Sequence, residues 1–325
     1  MKNVCERKIS VNILEEVKEA KTIGISGHIR PDGDCVGSVM ALYLYLQKAC
    51  PDADIQAFLE KPADIFRCIE KVEEIHSDFE TDIETFDAFI VLDASGDRIG
   101  GAEKYFNGAK KKINIDHHIS NKGCGDVNYI VPEASSASEL VYDVMEDKSF
   151  LDVEIAKAIY IGIIHDTGVF QYSNTAPKTL HVAAELISYG FDFSKLIDET
   201  FYEKTYIQNQ IMGRALLESI VFMDGRCIVS RVDKKTMDFY HVVPHDLDGI
   251  VSQLRYTKGV DCAIFVYQLD SLEYKVSLRS NGKVDVAKVA AFFGGGGHVK
   301  AAGVTMKGTF HDIVNNLSAR IAEQI

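Results

Sequence analysis

Carboxylates and imidazoles are concentrated in four short segments of the 325-residue chain. The segment GHIRPDGD supplies one histidine and two aspartates, and the later segments VLDAS, IDHH and IIHDTG supply further groups of the same kinds. Six of these residues are candidate metal ligands: His28, Asp32, Asp34, Asp93, His117 and Asp166. Carboxylate oxygens and imidazole nitrogens form a hard ligand set that favours Mn²⁺, with Mg²⁺, Co²⁺ or Fe²⁺ as alternatives and Zn²⁺ still open.

Two divalent ions held about 3.5 to 4 Å apart would polarise a phosphoryl oxygen and hold an attacking hydroxide in line. The pattern therefore predicts phosphoester hydrolysis. Each residue alone has a structural explanation: Asp32 could cap a turn, His117 could be a buried histidine, and Asp166 could pair inside a helix bundle. We favour the metal site because all four segments are expected to converge at one edge of a sheet.

The first half of the chain alternates short β-branched runs with helical patterns, which is typical of a parallel sheet covered by helices. Strands are predicted at KTIGISGHI, DIQAFLE, FDAFIVLDAS and KKINIDHH, and helices at VGSVMALYLYLQKA, SSASELVYDVMED, VEIAKAIYIGIIHDTG and PKTLHVAAELISYG. Most of the polar groups follow predicted strands, and open α/β sheets bind ligands at the carboxyl ends of their strands.

The second half predicts a smaller α+β unit. Its predicted strands are RCIVSRV, VDCAIFVYQL and EYKVSLRS, and its predicted helices are DVAKVAAFF and HDIVNNLSARIAEQI. Between the halves, the polar segment 192–219 is expected to form one or two connecting helices. The predicted domains are therefore 1–191 and 220–325, joined by a helical connector at 192–219.

Composition excludes several classes of protein. The 35 Lys and Arg against 48 Asp and Glu give a net charge of −13, which opposes attraction to a long polyanion such as duplex DNA and favours small or short substrates. No signal peptide and no apolar run of about 18 residues are found, so we expect a cytoplasmic protein without membrane contact. The seven scattered cysteines form no CxxC pair, which indicates reduced thiols.

Taken in order, the motifs resemble those of the DHH/DHHA1 phosphoesterase superfamily, and specifically its stand-alone oligoribonuclease and pAp-phosphatase (nanoRNase) branch. GHIRPDGD, VLDAS, IDHH and IGIIHDTGVF are similar to the motifs of the first domain, and GGGGHVKAAG is similar to the hallmark of the second. The resemblance implies an α/β fold, with an N-terminal parallel-sheet DHH domain and its flanking helices followed by a smaller C-terminal α+β DHHA1 domain. It also implies an active site in the cleft between a catalytic first domain and a substrate-binding second domain.

The resemblance further implies roles for individual residues. Two Mn²⁺ ions are expected, one bound by His28, Asp32 and Asp93, and the other by Asp34, Asp93, His117 and Asp166. Asp93 would then bridge the ions and share catalysis with His118, which would contact substrate phosphate or the leaving oxygen, and with Asp116, which would orient the histidines. The implied substrate-binding residues of the second domain are Arg279, Ser280, Gly296, Gly297 and His298.

Two of those substrate-binding assignments have plain alternatives. A glycine run after a helix is by itself more often a C-cap and turn than a ligand site. Arg279 by itself could be an ordinary exposed cation.

The expected function is hydrolysis of short oligoribonucleotides to mononucleotides, with dephosphorylation of 3′-phosphoadenosine 5′-phosphate (pAp) as a further activity, both through two-metal activation of water. The main alternative is a phosphodiesterase of cyclic di-AMP or pApA, because such enzymes share these motifs. Inorganic pyrophosphatases and RecJ-like exonucleases fit less well, since the former lack GGGGH and the latter carry more sequence. A non-catalytic nucleotide-binding protein would retain metal without turnover, and a homodimer is compatible with the sequence.

Overall fold

The computed structural model describes residues 11–325, and the chain divides into two compact units between residues 203 and 204. By its contacts, segment 192–203 belongs to the first unit and segment 204–219 to the second. The boundaries expected from sequence, at 191 and 219, stay predictions.

The first unit is built on a five-stranded parallel sheet in the order β2-β1-β3-β4-β5. The strands are β1 (Thr22–Ser26), β2 (Asp54–Phe58), β3 (Ala88–Leu92), β4 (Lys111–Asp116) and β5 (Val127–Ile130). The central strand β3 is buried at every position, as expected for a parallel sheet covered on both faces. The four predicted strands are confirmed, whereas the short strand β5 was not predicted.

Seven helices accompany this sheet: α1 (Ile13–Val17), α2 (Gly33–Ala49), α3 (Glu103–Gly108), α4 (Ala137–Val144), α5 (Val153–Asp166), α6 (Pro177–Ile187) and α7 (Phe193–Ile197). Glycines let α2 and α5 approach closely: a Cβ added at Gly37 would lie 2.6 Å from the carbonyl oxygen of Ala158. One added at Gly162 would lie 2.8 Å from Asp34 Oδ1. This close packing brings the polar start of α2 against the last turns of α5.

The second unit has a six-stranded mixed sheet in the order β10-β11-β9-β8-β7-β6, antiparallel except for the β7–β8 pair. Its strands are β6 (Ile220–Phe222), β7 (Cys227–Val232), β8 (Cys262–Asp270), β9 (Glu273–Ser280), β10 (Gly296–His298) and β11 (Ala301–Lys307). Its helices are α8 (Tyr206–Leu217), α9 (Lys234–Tyr240), α10 (Ile250–Arg255), α11 (Val286–Phe292) and α12 (Phe310–Ala322).

Two apolar clusters lie on the two faces of this second sheet. One cluster joins the sheet to α11 and α12 through Val289 and Ile313, and the other joins it to α8, α9 and α10 through Ile211 and Ile250. The expected α+β unit is confirmed, and so are the three strands and two helices predicted for it.

In the part of the chain that the structure describes, no helix is both long and apolar enough to cross a membrane. The six described cysteines carry free thiols, and Cys5 lies outside the described residues.

Candidate metal centre

Strands β1 and β3 are neighbours in the first sheet. After β1 the chain continues to β2 on one side of this pair, and after β3 it continues to β4 and β5 on the other side. Such a switch point opens a crevice at the carboxyl ends of the strands, where α/β proteins bind ligands. His28 follows β1, Asp93 follows β3 and His117 follows β4, so the topology alone brings these three residues to one edge.

Asp32 is the N-cap of α2. Its Oδ1 accepts hydrogen bonds from the backbone N–H groups of Asp34 and Cys35, both at 3.1 Å. The capping explanation is therefore correct for Asp32, and the same oxygen lies 3.6 Å from His28 Nε2. His28 Nδ1 lies 2.9 Å from the carbonyl oxygen of Ile29, a contact that turns Nε2 toward the carboxylates.

Asp34, the second residue of α2 and only 2% exposed, packs against the start of α4. Its carboxylate accepts hydrogen bonds from the N–H groups of Ala137 (2.6 Å) and Ser138 (2.9 Å), where the helix dipole favours negative charge. Burial, together with the charges of Asp93 and Asp166, nevertheless raises the pKa of Asp34 well above its ordinary value. The carboxylate is thus held in place yet short of positive charge.

Asp93 occupies the centre of the cluster. Its backbone is left-handed, with φ 55°, and its side chain is buried between two imidazoles. Oδ2 lies 3.3 Å from His28 Nε2, and Oδ1 lies 3.3 Å from His117 Nε2. Among residues 11–325 no partner forms a hydrogen bond with Oδ1. A buried carboxylate oxygen in this state is costly unless a cation compensates it, so the site fits divalent metals on physical grounds.

His117 joins Asp93 to a second pair of carboxylates. Its Nε2 lies 3.7 Å from Asp166 Oδ2 and 3.9 Å from Asp34 Oδ2. Asp166 is the last residue of α5, and Asn174 Nδ2 donates to its Oδ2 at 3.3 Å. Burial, aided by the charge of Asp93, raises the pKa of Asp166 to about 6 against the opposing effect of His117.

His28 and His117 bind protons strongly when no metal competes. Burial opposes protonation of His28, but hydrogen bonds to Asp32 and Asp93 outweigh it and raise the pKa of His28 to about 10. Burial likewise opposes protonation of His117, and Asp93 with the other carboxylates raises its pKa to about 10. A proton and a divalent cation therefore compete for the same nitrogens.

Asp116 holds the two histidines that follow it in the chain. Its Oδ1 accepts hydrogen bonds from the N–H groups of His117 (2.7 Å) and His118 (3.1 Å), and it lies 2.8 Å from His118 Nδ1. The bond to Asp116 raises the pKa of His118, whose ring is partly exposed. Asp116 thus orients the imidazoles, and His118 keeps an accessible ring beside Asp93, with Nδ1 3.5 Å from Asp93 Oδ1.

Among the residues that the structure describes, possible metal-binding atoms fall into three groups within which all lie at most 4.8 Å apart: Asp34 with His117 and Asp166; His28 with Cys35 and Asp93; and Asp93 with Asp116, His117 and His118. The structure brings together seven of the eight residues predicted in the first unit. Asp32 stands outside these groups and approaches the cluster through His28.

Sequence reasoning missed some contributors. Cys35 lies in one of the groups, but burial raises the pKa of its thiol well above the ordinary value and keeps it protonated, so it is a poor ligand. The amides of α4 that bind Asp34 follow a Ser136-x-x-Glu139 pattern, and this capping signature could have located the start of the helix.

The predicted residues of the second unit lie at the edge of its sheet. Gly296, Gly297 and His298 form β10, are exposed or nearly so, and help line an open cavity of about 450 Å³. The first two glycines of the run instead close α11, since Gly294 N donates to Ala291 O (3.0 Å) and Gly295 N to Ala290 O (2.9 Å). The C-cap explanation is therefore correct for half of the run.

The next pair of predicted residues ends β9. The Ser280 hydroxyl accepts hydrogen bonds from the N–H groups of Gly282 (2.9 Å) and Val284 (3.3 Å), which is a local structural role. Arg279 is half-buried, and its Nη1 donates to the carbonyl oxygen of Leu278 at 3.1 Å. Their substrate-binding roles stay predictions.

Comparison with known proteins covers most of the chain. The DHH family, N-terminal domain, matches residues 22–163, and the DHHA1 domain matches residues 224–325. A protein of Thermus thermophilus named "Bifunctional oligoribonuclease and PAP phosphatase NrnA" is 32% identical over 88% of this chain and 84% of its own length. A Bacillus subtilis protein of the same name is 28% identical over 92% of this chain and 93% of its own.

A solved structure has the same fold. The crystal structure of an exopolyphosphatase-related protein from Bacteroides fragilis superposes with a TM-score of 0.86 and 27% identity, covering 95% of this chain and 94% of the other. With the two domain matches in sequence order and the relatives aligned along most of their lengths, the chain belongs to the DHH family and carries a DHHA1 domain after its DHH domain.

Proposed function

We propose that this protein is a metal-dependent phosphoesterase that hydrolyses short oligoribonucleotides to mononucleotides and removes phosphate from pAp. The observation that carries the proposal is Asp93, a buried left-handed carboxylate that lies 3.3 Å from both His28 and His117 and whose Oδ1 forms no hydrogen bond among residues 11–325. A pocket for nucleotide binding alone would not need so many uncompensated carboxylates. The names of the curated relatives supply the two substrate classes.

Two divalent ions fit the donor atoms. His28, Asp32 and Asp93 would hold one ion, and the other would be held by Asp34, Asp93, His117 and Asp166. We favour Mn²⁺ because imidazole nitrogens join the carboxylates, which suits it better than Mg²⁺. When bound, such ions supply Lewis acidity at a phosphoryl oxygen and lower the pKa of water.

The remaining groups act on protons and orientation. His118 Nδ1 lies 2.8 Å from Asp116 Oδ1, and this contact raises the pKa of His118. An imidazolium at this position is suited to donate to a phosphate oxygen or to protonate the leaving oxygen. Asp116 fixes the ring, so His118 is already oriented toward the reacting group.

In the second unit, His298, Gly296 and Gly297 are the proposed contacts for one end of the nucleotide chain, and Arg279 is the proposed phosphate-binding cation. The cytoplasmic location expected from sequence stays a prediction, and so does the homodimer with which the sequence is compatible.

The test is turnover with Mn²⁺ on pAp, a labelled RNA dinucleotide, a five-nucleotide RNA and cyclic di-AMP. Asp93→Ala is compared with Asp97→Ala, an exposed aspartate four residues further on. Cleavage of pAp and of both RNAs that is lost only in Asp93→Ala supports the proposal. A strong preference for cyclic di-AMP would assign the protein to cyclic-dinucleotide turnover, and retention of Mn²⁺ without any turnover would favour a binding protein.

A further inference from the structure

Asn114 is a polar residue in an apolar strand. It lies in β4 between Ile113 and Ile115 and is fully buried. Its Nδ2 donates to the carbonyl oxygens of Val91 (3.2 Å) and Ala94 (2.8 Å) at the end of β3. Since a buried amide must find such partners, these two carbonyls fix which way the side chain faces.

Asn121 connects the same carbonyl to the segment that carries the histidines. Its Nδ2 lies 3.1 Å from Ala94 O, 3.0 Å from Asn114 Oδ1 and 2.6 Å from Asp116 Oδ2. Its own Oδ1 accepts the N–H of Gly123 at 2.8 Å, which holds the side chain in place. One amide nitrogen thus lies within hydrogen-bonding distance of three acceptors, one in the loop after β3 and two on β4.

These contacts surround the strained residue at the centre of the site. Asp93 donates its N–H to the carbonyl oxygen of Ile115 at 3.1 Å, and both asparagine amides hold the carbonyl of Ala94, the next residue. The left-handed backbone of Asp93 is therefore fixed on both sides. The same amide of Asn121 holds Asp116, which orients His117 and His118.

We propose that Asn114 and Asn121 are positioning residues that set the distance and angle between Asp93 and the two histidines, and so preform the metal centre. In the described part of the chain, neither side-chain amide forms a hydrogen bond with the ring of His117 or His118. Asn114 therefore acts through Ala94 and Asn121, and the side chain of Asn121 acts through Ala94 and Asp116. Outer partners of this kind typically change metal affinity or activity about 10- to 100-fold when removed.

The experiment titrates the metal-free protein with Mn²⁺ by calorimetry and measures kcat and KM on pAp at saturating metal. Asn121→Ala is compared with Asn128→Ala, an exposed asparagine of β5 whose amide contacts Gly125. We expect Asn121→Ala to weaken Mn²⁺ binding and lower kcat by about 10-fold or more, with KM nearly unchanged. Equal Mn²⁺ affinity in the two variants would overturn the proposal.

Two further variants separate positioning from a loss of folding. Asn121→Asp keeps the shape of the side chain but places a carboxylate against Asp116 Oδ2, so its Mn²⁺ affinity should fall at least as far while its far-UV spectrum stays that of the parent. In the double variant with Asp116→Ala, Asn121→Ala should add little, because both act on the same histidines. Full additivity of the two effects would overturn the route through Asp116.

The inference rests on the proposed phosphoesterase function, but the Mn²⁺ titration needs no substrate. A parent protein that binds Mn²⁺ and turns over no phosphoester would remove the proposed function, and the affinity comparison would still decide the role of Asn121.

Discussion

The two units present their candidate sites in opposite ways. In the first unit, the aspartates at the centre are almost fully buried, and His28, His117 and His118 each lie beside a carboxylate. In the second unit, the glycines and His298 lie on a short edge strand with much of their surface exposed. Buried and preorganised charge suits bond breaking, whereas an accessible backbone edge suits the binding of a chain that must enter and leave.

The two candidate sites also differ in the kind of physical constraint that each imposes on its unit. The metal centre gathers like charges and a left-handed aspartate, so the folded first unit gains from any cation that enters. The edge of the second unit has no such excess of charge, and its constraint is steric, since its glycines lie against β11. Substitutions should therefore affect catalysis in one unit, and binding or packing in the other.

The largest effect is expected for Asp93→Ala. Removing the carboxylate between His28 and His117 takes away the group that both proposed metal positions share, so kcat should fall by about 10³-fold or more. Steady-state turnover of pAp at saturating Mn²⁺ measures the loss. An activity within a few fold of the parent would contradict the proposed role of Asp93. Asp97→Ala is the control.

Metal addition should stabilise the protein in a pH-dependent way. His28 and His117 have pKa values raised from 6.5 to about 10, so their protonation stabilises the metal-free fold below pH 6.5, and this contribution is lost as the pH rises through 10. Mn²⁺ must displace those protons, so its apparent affinity rises over the same interval. Free Mn²⁺ at about 100 times its dissociation constant should add about 2.7 kcal/mol to the free energy of unfolding.

Thermal unfolding between pH 6.5 and 9, with and without Mn²⁺, measures both effects. The melting temperature without metal should decrease across this range, and the gain from Mn²⁺ should increase. A gain from Mn²⁺ that is the same at every pH would contradict the competition between proton and metal.

The glycine run offers a matched pair of substitutions. Gly297 has φ 144°, and an added Cβ would collide with the carbonyl oxygen of Ala301 and lie 2.6 Å from Ala302 Cα, so Gly297→Ala should destabilise the protein by about 2 kcal/mol. At Gly296 no described atom lies within 4 Å of an added Cβ, so Gly296→Ala should change stability by less than about 0.5 kcal/mol. Urea unfolding of both variants measures the difference, and a rise in KM for Gly296→Ala alone would indicate ligand approach at that position.

A smaller loss of activity than for Asp93→Ala is expected for His298→Ala. Its ring is exposed on β10, so its loss should weaken substrate binding by about 10-fold, equivalent to about 1.4 kcal/mol, while kcat stays nearly constant. Initial rates over a range of pAp concentrations separate KM from kcat. An unchanged KM would exclude the gripping role of His298.

Much of the first unit follows from its sequence because local pattern and buried position agree there. Runs such as FIVL are apolar and contain β-branched residues, here Ile90 and Val91, so β3 and the placement of Asp93 at its end could be predicted. The left-handed backbone of Asp93 could not be predicted, because it depends on hydrogen bonds from Asn114 and Asn121, in other segments, to the carbonyl of Ala94. Side-chain networks between distant segments leave no periodic signal in the sequence.

The second unit was harder to predict at its edge. The strand β10, with the sequence GGH, has no β-propensity of its own and exists because it pairs with β11. For the same reason, the sequence could not divide the glycine run between the cap of α11 and the strand. The sequence allowed two explanations of Asp32, as a capping residue and as a metal ligand. In the structure Asp32 caps α2 and also lies beside His28.

The donor atoms of the metal centre are spread along the chain from His28 to Asp166, so the last of them comes from the end of α5. During synthesis, a nascent chain gains its full set of donors only after residue 166 has left the ribosome and α5 has packed on α2. Under the proposed function, metal binding would therefore be a late event in the folding of the chain. The proposed activity toward RNA would then begin only after the whole first unit has been synthesised.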